Sequence, residues 1–153
     1  MSEKIFKETN LRSVVKVMTW RVSVTISHLI NGFIVSGLWT IGAQIAGLAV
    51  IINMCLFWIH ERIWNFILWN RNSSSTNTFE EGHPRTIGKS VTWRLLISIN
   101  NFLIPYLTTG SWKQAAAFLG IATVINVILY YFHERVWNLI DWGKKQNDSL
   151  VSK

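Results

Sequence analysis

The chain has 153 residues, of which 50% are hydrophobic and only 15% are charged, and its formal net charge is +7. A soluble domain carries about a quarter charged residues, so this composition argues against an ordinary soluble fold. The single Cys55 excludes an intramolecular disulfide. The nine tryptophans indicate a membrane protein, because Trp concentrates at membrane–water interfaces.

A basic amphipathic segment follows the polar N-terminal arm. Apolar residues recur there at helical spacing, at Leu11, Val14, Val15 and Met18. Arg12 and Lys16 lie on another face of the same helix. This pattern predicts an interfacial helix that lies on the inner leaflet before the chain turns into the membrane.

The chain contains an internal repeat with an offset of 73 residues. Residues 12–70 align without a gap on residues 85–143, and both copies contain the motifs TWR and HER. An ungapped match of this length indicates duplication. The predicted organisation is a cytoplasmic N-terminal arm (1–11), repeat 1 (12–70), a flexible cytoplasmic linker (71–84), repeat 2 (85–143) and a disordered cytoplasmic tail (144–153).

Each repeat contains two uncharged apolar stretches, at 22–38 and 41–59 in repeat 1 and at 95–110 and 114–132 in repeat 2. Their lengths are near the lower limit for a membrane-spanning helix, and a Gly-containing turn separates them. A soluble bundle is disfavoured, because these helices lack a polar face. The predicted fold class is therefore all-α: an integral membrane protein with four transmembrane helices, arranged as two parallel-repeat hairpins with interfacial amphipathic segments.

The basic residues predict the orientation. Of the 15 Lys and Arg residues, only Lys113 lies in a hairpin turn. The positive-inside rule then predicts a multi-pass inner (plasma) membrane protein with both termini in the cytoplasm. The same charges predict attraction to the bilayer and to anionic lipids rather than to nucleic acid. Self-association or a membrane partner is also compatible with the sequence.

The repeated charged motifs form the first candidate site. They are expected to meet at the cytoplasmic face, because TWR begins the first helix of each hairpin and HER ends the second. We expect ion pairs between Arg21 and Glu61 and between Arg94 and Glu134, since an unpaired charge near hydrocarbon is costly. These residues either hold the hairpin together or form a cup that binds an anion or a lipid phosphate. The candidate cluster comprises Arg21, His60, Glu61, Arg62, Arg94, His133, Glu134 and Arg135.

A second set of polar residues lies within the predicted spans: His28, Asn31, Asn53, Asn100, Asn101 and Asn126. They are either interhelical hydrogen-bonding groups or the lining of a transport path. Ala43-x-x-x-Gly47 and Ala116-x-x-x-Gly120 predict close helix contacts.

A third set consists of aromatic residues that flank the spans. Trp is enriched where a helix crosses the membrane–water interface. The predicted interface anchors are Trp20, Trp64, Trp69, Trp93, Trp137 and Trp142.

The order K-x-x-T-W-R, span, Gly turn, span and H-E-R-x-W resembles a prokaryotic family known as Domain of Unknown Function 2061, a predicted membrane protein. Lys16, residues 19–21 and residues 60–64 form the first copy of this pattern, and the second begins at Lys89. The resemblance implies a multi-pass membrane protein without an assigned activity. Some relatives look to be encoded near sulfate-activation genes, which implies an oxyanion as a ligand to test. The resemblance also implies that single-copy relatives pair as dimers.

We therefore expect a small membrane scaffold or assembly subunit. The alternative is a small transporter or channel that binds an anion, for example sulfate or a lipid phosphate, in the Arg/His cup. The sequence contains no Gly-rich phosphate loop, paired-carboxylate site or Cys/His metal spacing. We accordingly expect no enzymatic activity, no cofactor and no metal.

Overall fold

The computed structural model describes residues 6–69, 71–73 and 79–146. Within these residues the chain forms four long helices and two short antiparallel β-ladders. In chain order the elements are β1 (Phe6–Glu8), α1 (Asn10–Ser36), α2 (Trp39–Phe66), β2 (Arg71–Ser73), β3 (Phe79–Glu81), α3 (His83–Thr109), α4 (Trp112–Leu139) and β4 (Lys144–Gln146). The four predicted helices are present.

The helix ends follow local capping chemistry. The Thr9 side chain accepts a hydrogen bond from the Arg12 amide at 3.3 Å and begins α1. Gly37 and Gly110 end α1 and α3 with φ angles of 74° and 69°, a left-handed conformation that glycine adopts without strain. The Ser111 side chain then caps α4. Each repeat is therefore a hairpin of two helices joined by a tight glycine turn.

The four helices form a bundle in which each one packs mainly against two neighbours. Contacts within a repeat join α1 to α2 and α3 to α4, and contacts between repeats join α1 to α4 and α2 to α3. A small apolar core lies where the helices meet, formed by Ile45, Ala49, Ile104, Phe118 and Ala122. We call the end of the bundle with the β-ladders the ladder end and the end with the glycine turns the turn end.

The two β-ladders extend the repeat beyond its predicted limits. β1 pairs with β4, and β2 pairs with β3, so the start of each repeat pairs with the end of the other. The residues of β3 and β4 lie 73 positions after those of β1 and β2. The predicted flexible linker (71–84) and disordered tail (144–153) are therefore wrong in part: residues 71–73, 79–81 and 144–146 are in strands, and 83–84 begin α3. Residues 1–5, 70, 74–78 and 147–153 lie outside the described part of the chain.

The prediction of a separate interfacial helix before each hairpin is also wrong. α1 is one helix from Asn10 to Ser36, and α3 is one helix from His83 to Thr109. No proline interrupts α1 between Leu11 and Val22, so nothing local turns the chain there. Leu11, Val14 and Met18 instead lie exposed on the same helix that continues towards the turn end.

Helices α1 and α2 approach each other closely at Gly32 and Gly42. A Cβ atom on Gly32 would lie 2.6 Å from the Gly42 Cα atom, and one on Gly42 would collide with the Leu29 carbonyl oxygen. The close helix contacts predicted at the two small-residue patterns are not formed within this bundle. A Cβ atom at Gly47 or Gly120 would meet nothing within 4 Å, and Ala43 and Ala116 are exposed.

Among the described helices, α2 and α4 are long and apolar enough to cross a membrane. Their mean hydropathies are 1.9 and 2.0 over the best 18-residue window. α1 and α3 have similar lengths of 27 residues, or about 40 Å at 1.5 Å per residue, but contain more charged residues near the ladder end.

Replacing Gly42 by Ala should destabilise the protein, whereas replacing Gly47 by Ala should not. The Gly42→Ala methyl group requires α1 and α2 to separate, and such overpacking costs about 1–3 kcal/mol. The Gly47→Ala methyl group enters open space, and a helical Gly→Ala change gains about 0.5–1 kcal/mol. Unfolding of both variants in detergent, followed by circular dichroism, measures the difference. Equal stabilities would contradict the close contact.

Candidate functional site

Two equivalent polar clusters lie at the ladder end, each formed between the two repeats. The α1–α4 cluster consists of Arg12, Lys16, Thr19, His133, Glu134 and Trp137. The α2–α3 cluster consists of Arg85, Lys89, Thr92, His60, Glu61 and Trp64. Each residue of one cluster lies 73 positions from its equivalent in the other.

Helical spacing brings these side chains together. Arg12, Lys16 and Thr19 are at positions i, i+4 and i+7, so they share one face of α1. On α4, His133 and Trp137 are four residues apart and form the opposing face. The same spacing recurs on α3 and α2.

Arg12 is the centre of the α1–α4 cluster, and its side chain is fully buried. Its Nη1 atom donates to the carbonyl oxygens of Ile140 at 2.8 Å and Trp142 at 2.5 Å, and its Nη2 atom donates to that of Trp137 at 2.6 Å. Its Nε atom donates to Glu8 at 3.2 Å. Trp137 lies in the last turn of α4, where the helix carries partial negative charge, and Ile140 and Trp142 follow the end of the helix. The guanidinium therefore supplies donors where the regular helical bonds stop.

Arg85 repeats this arrangement in the α2–α3 cluster and is also fully buried. It donates to the carbonyl oxygens of Ile67 at 2.5 Å, Trp69 at 3.0 Å and Trp64 at 2.5 Å. Each arginine also lies over the ring of a cluster tryptophan: Arg12 at 5.2 Å from the centroid of Trp137, and Arg85 at 5.5 Å from that of Trp64. Each arginine thus caps the second helix of the other repeat.

The ion pairs at this end differ from the predicted ones. Lys16 pairs with Glu134 at 2.6 Å, and Lys89 pairs with Glu61 at 3.1 Å. The predicted partners Arg21 for Glu61 and Arg94 for Glu134 are therefore wrong. The carboxylates bind lysines of the other repeat, because α1 packs against α4 as well as against α2.

A Thr–His–Trp contact lies next to each ion pair. The Thr19 Oγ1 atom accepts a hydrogen bond from Trp137 Nε1 at 3.1 Å and lies 3.0 Å from His133 Nε2. Its own hydroxyl proton is donated to the Lys16 carbonyl at 3.0 Å. Since a hydroxyl has one proton, His133 Nε2 is then the donor to Thr19. Thr92, His60 and Trp64 lie together in the same way: His60 Nε2 is 2.9 Å from Thr92 Oγ1, and Trp64 Nε1 donates at 3.1 Å both to Thr92 Oγ1 and to His60 Nε2.

The four arginines of the predicted cup all lie exposed. Arg62 lies over Trp58 at 5.4 Å from the ring centroid, and Arg135 lies over Tyr131 at 5.3 Å. Each of these aromatic partners is one turn earlier on the arginine's own helix. The structure therefore joins His60, Glu61, His133 and Glu134 to the other repeat and leaves Arg21, Arg62, Arg94 and Arg135 at the surface.

The predicted tryptophan anchors divide into three pairs. Trp69 and Trp142 are 55% and 50% exposed, as an interface anchor requires. Trp20 and Trp93 are half-buried; Trp20 lies edge-on to His133, and the ring of Trp93 is tilted against that of His60. Trp64 and Trp137 are buried to 8% and 7% exposure, so their role as interface anchors is wrong. Their indole N–H groups bind the cluster threonines instead.

The second predicted set lies inside the bundle, away from both ends. His28, Asn31, Asn100 and Asn101 are buried, and Asn53 and Asn126 are half-buried. Asn100 Nδ2 donates to Asn53 Oδ1 at 2.5 Å, which joins α3 to α2. Asn31 Nδ2 donates to the Phe118 carbonyl at 3.0 Å, which joins α1 to α4. These two bonds match the hydrogen-bonding interpretation of the set.

Sequence reasoning missed Arg12 and Arg85 as site residues. The available signal was their repetition together with Lys16/Lys89 and Thr19/Thr92 at positions that share one helical face. The amphipathic pattern by itself predicts only that Arg12 and Lys16 lie on another face of an interfacial helix.

The described residues contain no group of three or more His, Cys, Asp or Glu side chains that could hold a metal ion. Beyond the end of α4, Lys144 donates a hydrogen bond to Asp141 at 2.9 Å. This hydrogen bond lowers the pKa of Asp141 below its ordinary value.

The described chain is all-α, with four long helices of which two are long and apolar enough to cross a membrane. The model of one family matches residues 14–65 and 87–138, one segment in each repeat. The chain belongs to this family, which is described as Predicted membrane protein (DUF2061). The match confirms the resemblance found in the repeated motif. No curated protein and no solved structure matches the chain.

Removing the Arg12 guanidinium should destabilise the whole bundle. Arg12→Gln removes the charged side-chain donor to three carbonyl oxygens at the end of α4, and we expect a loss of about 3 kcal/mol or more. Arg12→Lys should not restore stability, because an ammonium group cannot match the fork of a guanidinium. Arg135→Gln, at an exposed position, is the control and should change stability by less than about 0.5 kcal/mol. Urea unfolding in detergent measures all three; a stable Arg12→Gln variant would contradict the capping role.

Proposed function

We propose that the protein is a four-span membrane scaffold or assembly subunit whose two hairpins act as one rigid unit. The observation that supports this most is the commitment of both buried arginines to backbone carbonyls. Arg12 and Arg85 each donate to three carbonyl oxygens of the other repeat and have no exposed surface. Such arginines join parts of the protein to one another and leave no donor group facing a transported anion.

The exterior of α1 and α3 supports four spans rather than two. On α1, Ile26, Ile30 and Ile34 are between 43% and 57% exposed. The equivalent face of α3 presents Leu95, Ile99, Leu103 and Leu107, while Asn100 and Asn101 point inwards. An apolar outside with polar residues inside is the pattern that lipid favours and water does not. The helices are longer than the hydrocarbon layer of about 30 Å.

The orientation follows from the basic residues. In the sequence, all but Lys113 of the 15 Lys and Arg residues fall within 1–21, 62–94 and 135–153, the segments that four spans would leave on the side of the ladder end. The positive-inside rule puts that end in the cytoplasm of an inner membrane, with both termini.

Reporters that respond to compartment test this topology. Fusions within residues 74–78 and at the C-terminus should report the cytoplasm, and a fusion at Ser111 should report the outside, because Ser111 lies in the second hairpin turn. The same fusions in a Lys113→Gln variant are the control, because Lys113 is the one basic residue at the turn end. External activity of the 74–78 fusion would contradict the four-span arrangement.

The outward small-residue faces support an assembly role. Ala43 and Gly47 on α2, and Ala116 and Gly120 on α4, are exposed, and a Cβ atom at either glycine would meet nothing within 4 Å. Small residues allow another helix to approach closely in a membrane. These faces are therefore available to a membrane partner or to a second copy.

Anion transport is the competing function. The exposed Arg21, Arg62, Arg94 and Arg135 supply positive charge near the ladder end, but they do not converge with His60 and His133 into a buried cup. The Asn53–Asn100 and Asn31–Phe118 bonds also engage amides that a polar path would need. The geometry therefore favours the structural role.

Two measurements on the same preparation separate these functions. In proteoliposomes, sulfate uptake should equal that of protein-free liposomes; saturable uptake that Arg21→Gln abolishes would establish transport instead. In native membranes, a photo-crosslinking residue at Gly47 should give one adduct of defined mass, because that face is open. The same residue at exposed Phe66, beyond the small-residue face, is the control. Identical diffuse adducts from both positions would contradict the assembly role.

A further inference from the structure

A cavity of about 490 Å³ lies between α1 and α2. Its apolar lining comes from Met18, Val22 and Ile26 of α1 and from Ala49, Val50 and Met54 of α2. Its volume is within the range of small-molecule sites, about 300–1,000 Å³. Met18, Val22, Ile26, Val50 and Met54 are all at least half exposed, so the cavity opens on the outer surface of the bundle.

Arg21 lines the same cavity and gives it one charged side. It is the last charged residue before the uncharged stretch of α1, whereas His28, also in the lining, lies seven residues further on. At 1.5 Å per residue, the cavity extends about 10 Å from the charge towards the middle of the helix. The charge therefore lies at the ladder side of an otherwise mostly apolar space.

Arg21 is available for a ligand. Lys16 is paired with Glu134, and the Arg12 guanidinium is buried against carbonyls. Within the described part of the chain, the Arg21 guanidinium has neither an ion pair nor a hydrogen bond. A guanidinium binds phosphate through two parallel hydrogen bonds, which makes Arg the residue most suited to a phosphodiester.

We propose that this cavity binds one acyl chain of an anionic phospholipid, with the lipid phosphate held by Arg21. This inference rests on the four-span topology of the proposed function, which puts Arg21 at the headgroup boundary and Val50 within the hydrocarbon. The charged side of the cavity then faces the lipid headgroups, and its apolar part faces the acyl chains, so a lipid would lie in it in its normal orientation. A free oxyanion would gain nothing from the apolar walls, so the phosphodiester of a lipid is the ligand that uses both parts of the site.

The second repeat provides matched controls. Arg94 is equivalent to Arg21, and Thr123 is equivalent to Val50. General attraction between basic residues and anionic lipid would involve Arg94 as much as Arg21. A site in the α1–α2 cavity involves Arg21 and Val50 alone.

Native mass spectrometry of the full chain in detergent, titrated with phosphatidylglycerol or phosphatidylcholine, tests the proposal. The wild-type protein should bind phosphatidylglycerol about tenfold more tightly, a ratio that corresponds to about 1.4 kcal/mol. Arg21→Gln should bring the two affinities together, and Arg94→Gln should preserve the tenfold ratio. Val50→Trp, which fills the cavity from a half-exposed position, should weaken both lipids, whereas Thr123→Trp should weaken neither.

Three results would overturn the site. They are equal losses from Arg21→Gln and Arg94→Gln, unchanged affinity in Val50→Trp, and displacement of the lipid by inorganic phosphate beyond that caused by chloride of equal ionic strength. The last result would indicate a free-anion site. The topology reporters keep the two proposals distinct: a lost lipid preference with a cytoplasmic 74–78 fusion rejects this site alone, and an external fusion rejects the four-span arrangement itself.

Discussion

Two buried guanidinium groups constrain the arrangement of the whole bundle. A charged group without access to water needs protein acceptors for its donors, and carbonyls without a helical partner are found where helices end. Arg12 and Arg85 find them at the ends of α4 and α2 respectively. The start of each repeat must therefore lie beside the end of the other. The lysine–glutamate pairs, the threonine–tryptophan bonds and the two β-ladders all lie where this constraint puts them.

The polar contacts at the ladder end and the apolar middle of the bundle have different roles. The apolar core is small, and many large hydrophobic side chains face outwards. In lipid such side chains gain little by leaving the exterior, so hydrogen bonds and close packing must supply the specificity of assembly. The amides of Asn53 and Asn100 and the contact of Gly32 with Gly42 supply it in the middle, and the two arginine clusters supply it at the end.

The sequence predicted the helices and turns because they depend on local composition: uncharged stretches bounded by glycine and by charged motifs. It could not predict the partner of Glu61. In a chain built of two copies, a lysine or arginine of either repeat has the same neighbours in sequence, so pairing within a hairpin and pairing between hairpins look alike. Only the packing of α2 against α3 distinguishes Lys89 from Arg21. The β-ladders were missed because three-residue strands have no periodicity, although Phe and Glu recur at positions 6 and 8 and at 79 and 81.

Because β1 pairs with β4, the beginning and the end of the described chain are in contact, and the contacts between successive elements form a closed ring. Phe6 lies opposite Gln146, just as Ser73 lies opposite Phe79 in the other ladder. In sequence, residues 74–78 connect the end of β2 to the start of β3. The equivalent positions in the other ladder are the end of β4 and the start of β1, which are not connected to each other. A circularly permuted chain, linked between Gln146 and Phe6 and opened between Ser73 and Phe79, would keep the same helices, ladders and arginine caps. The order in which the two hairpins are translated is thus not dictated by the contacts that hold them together.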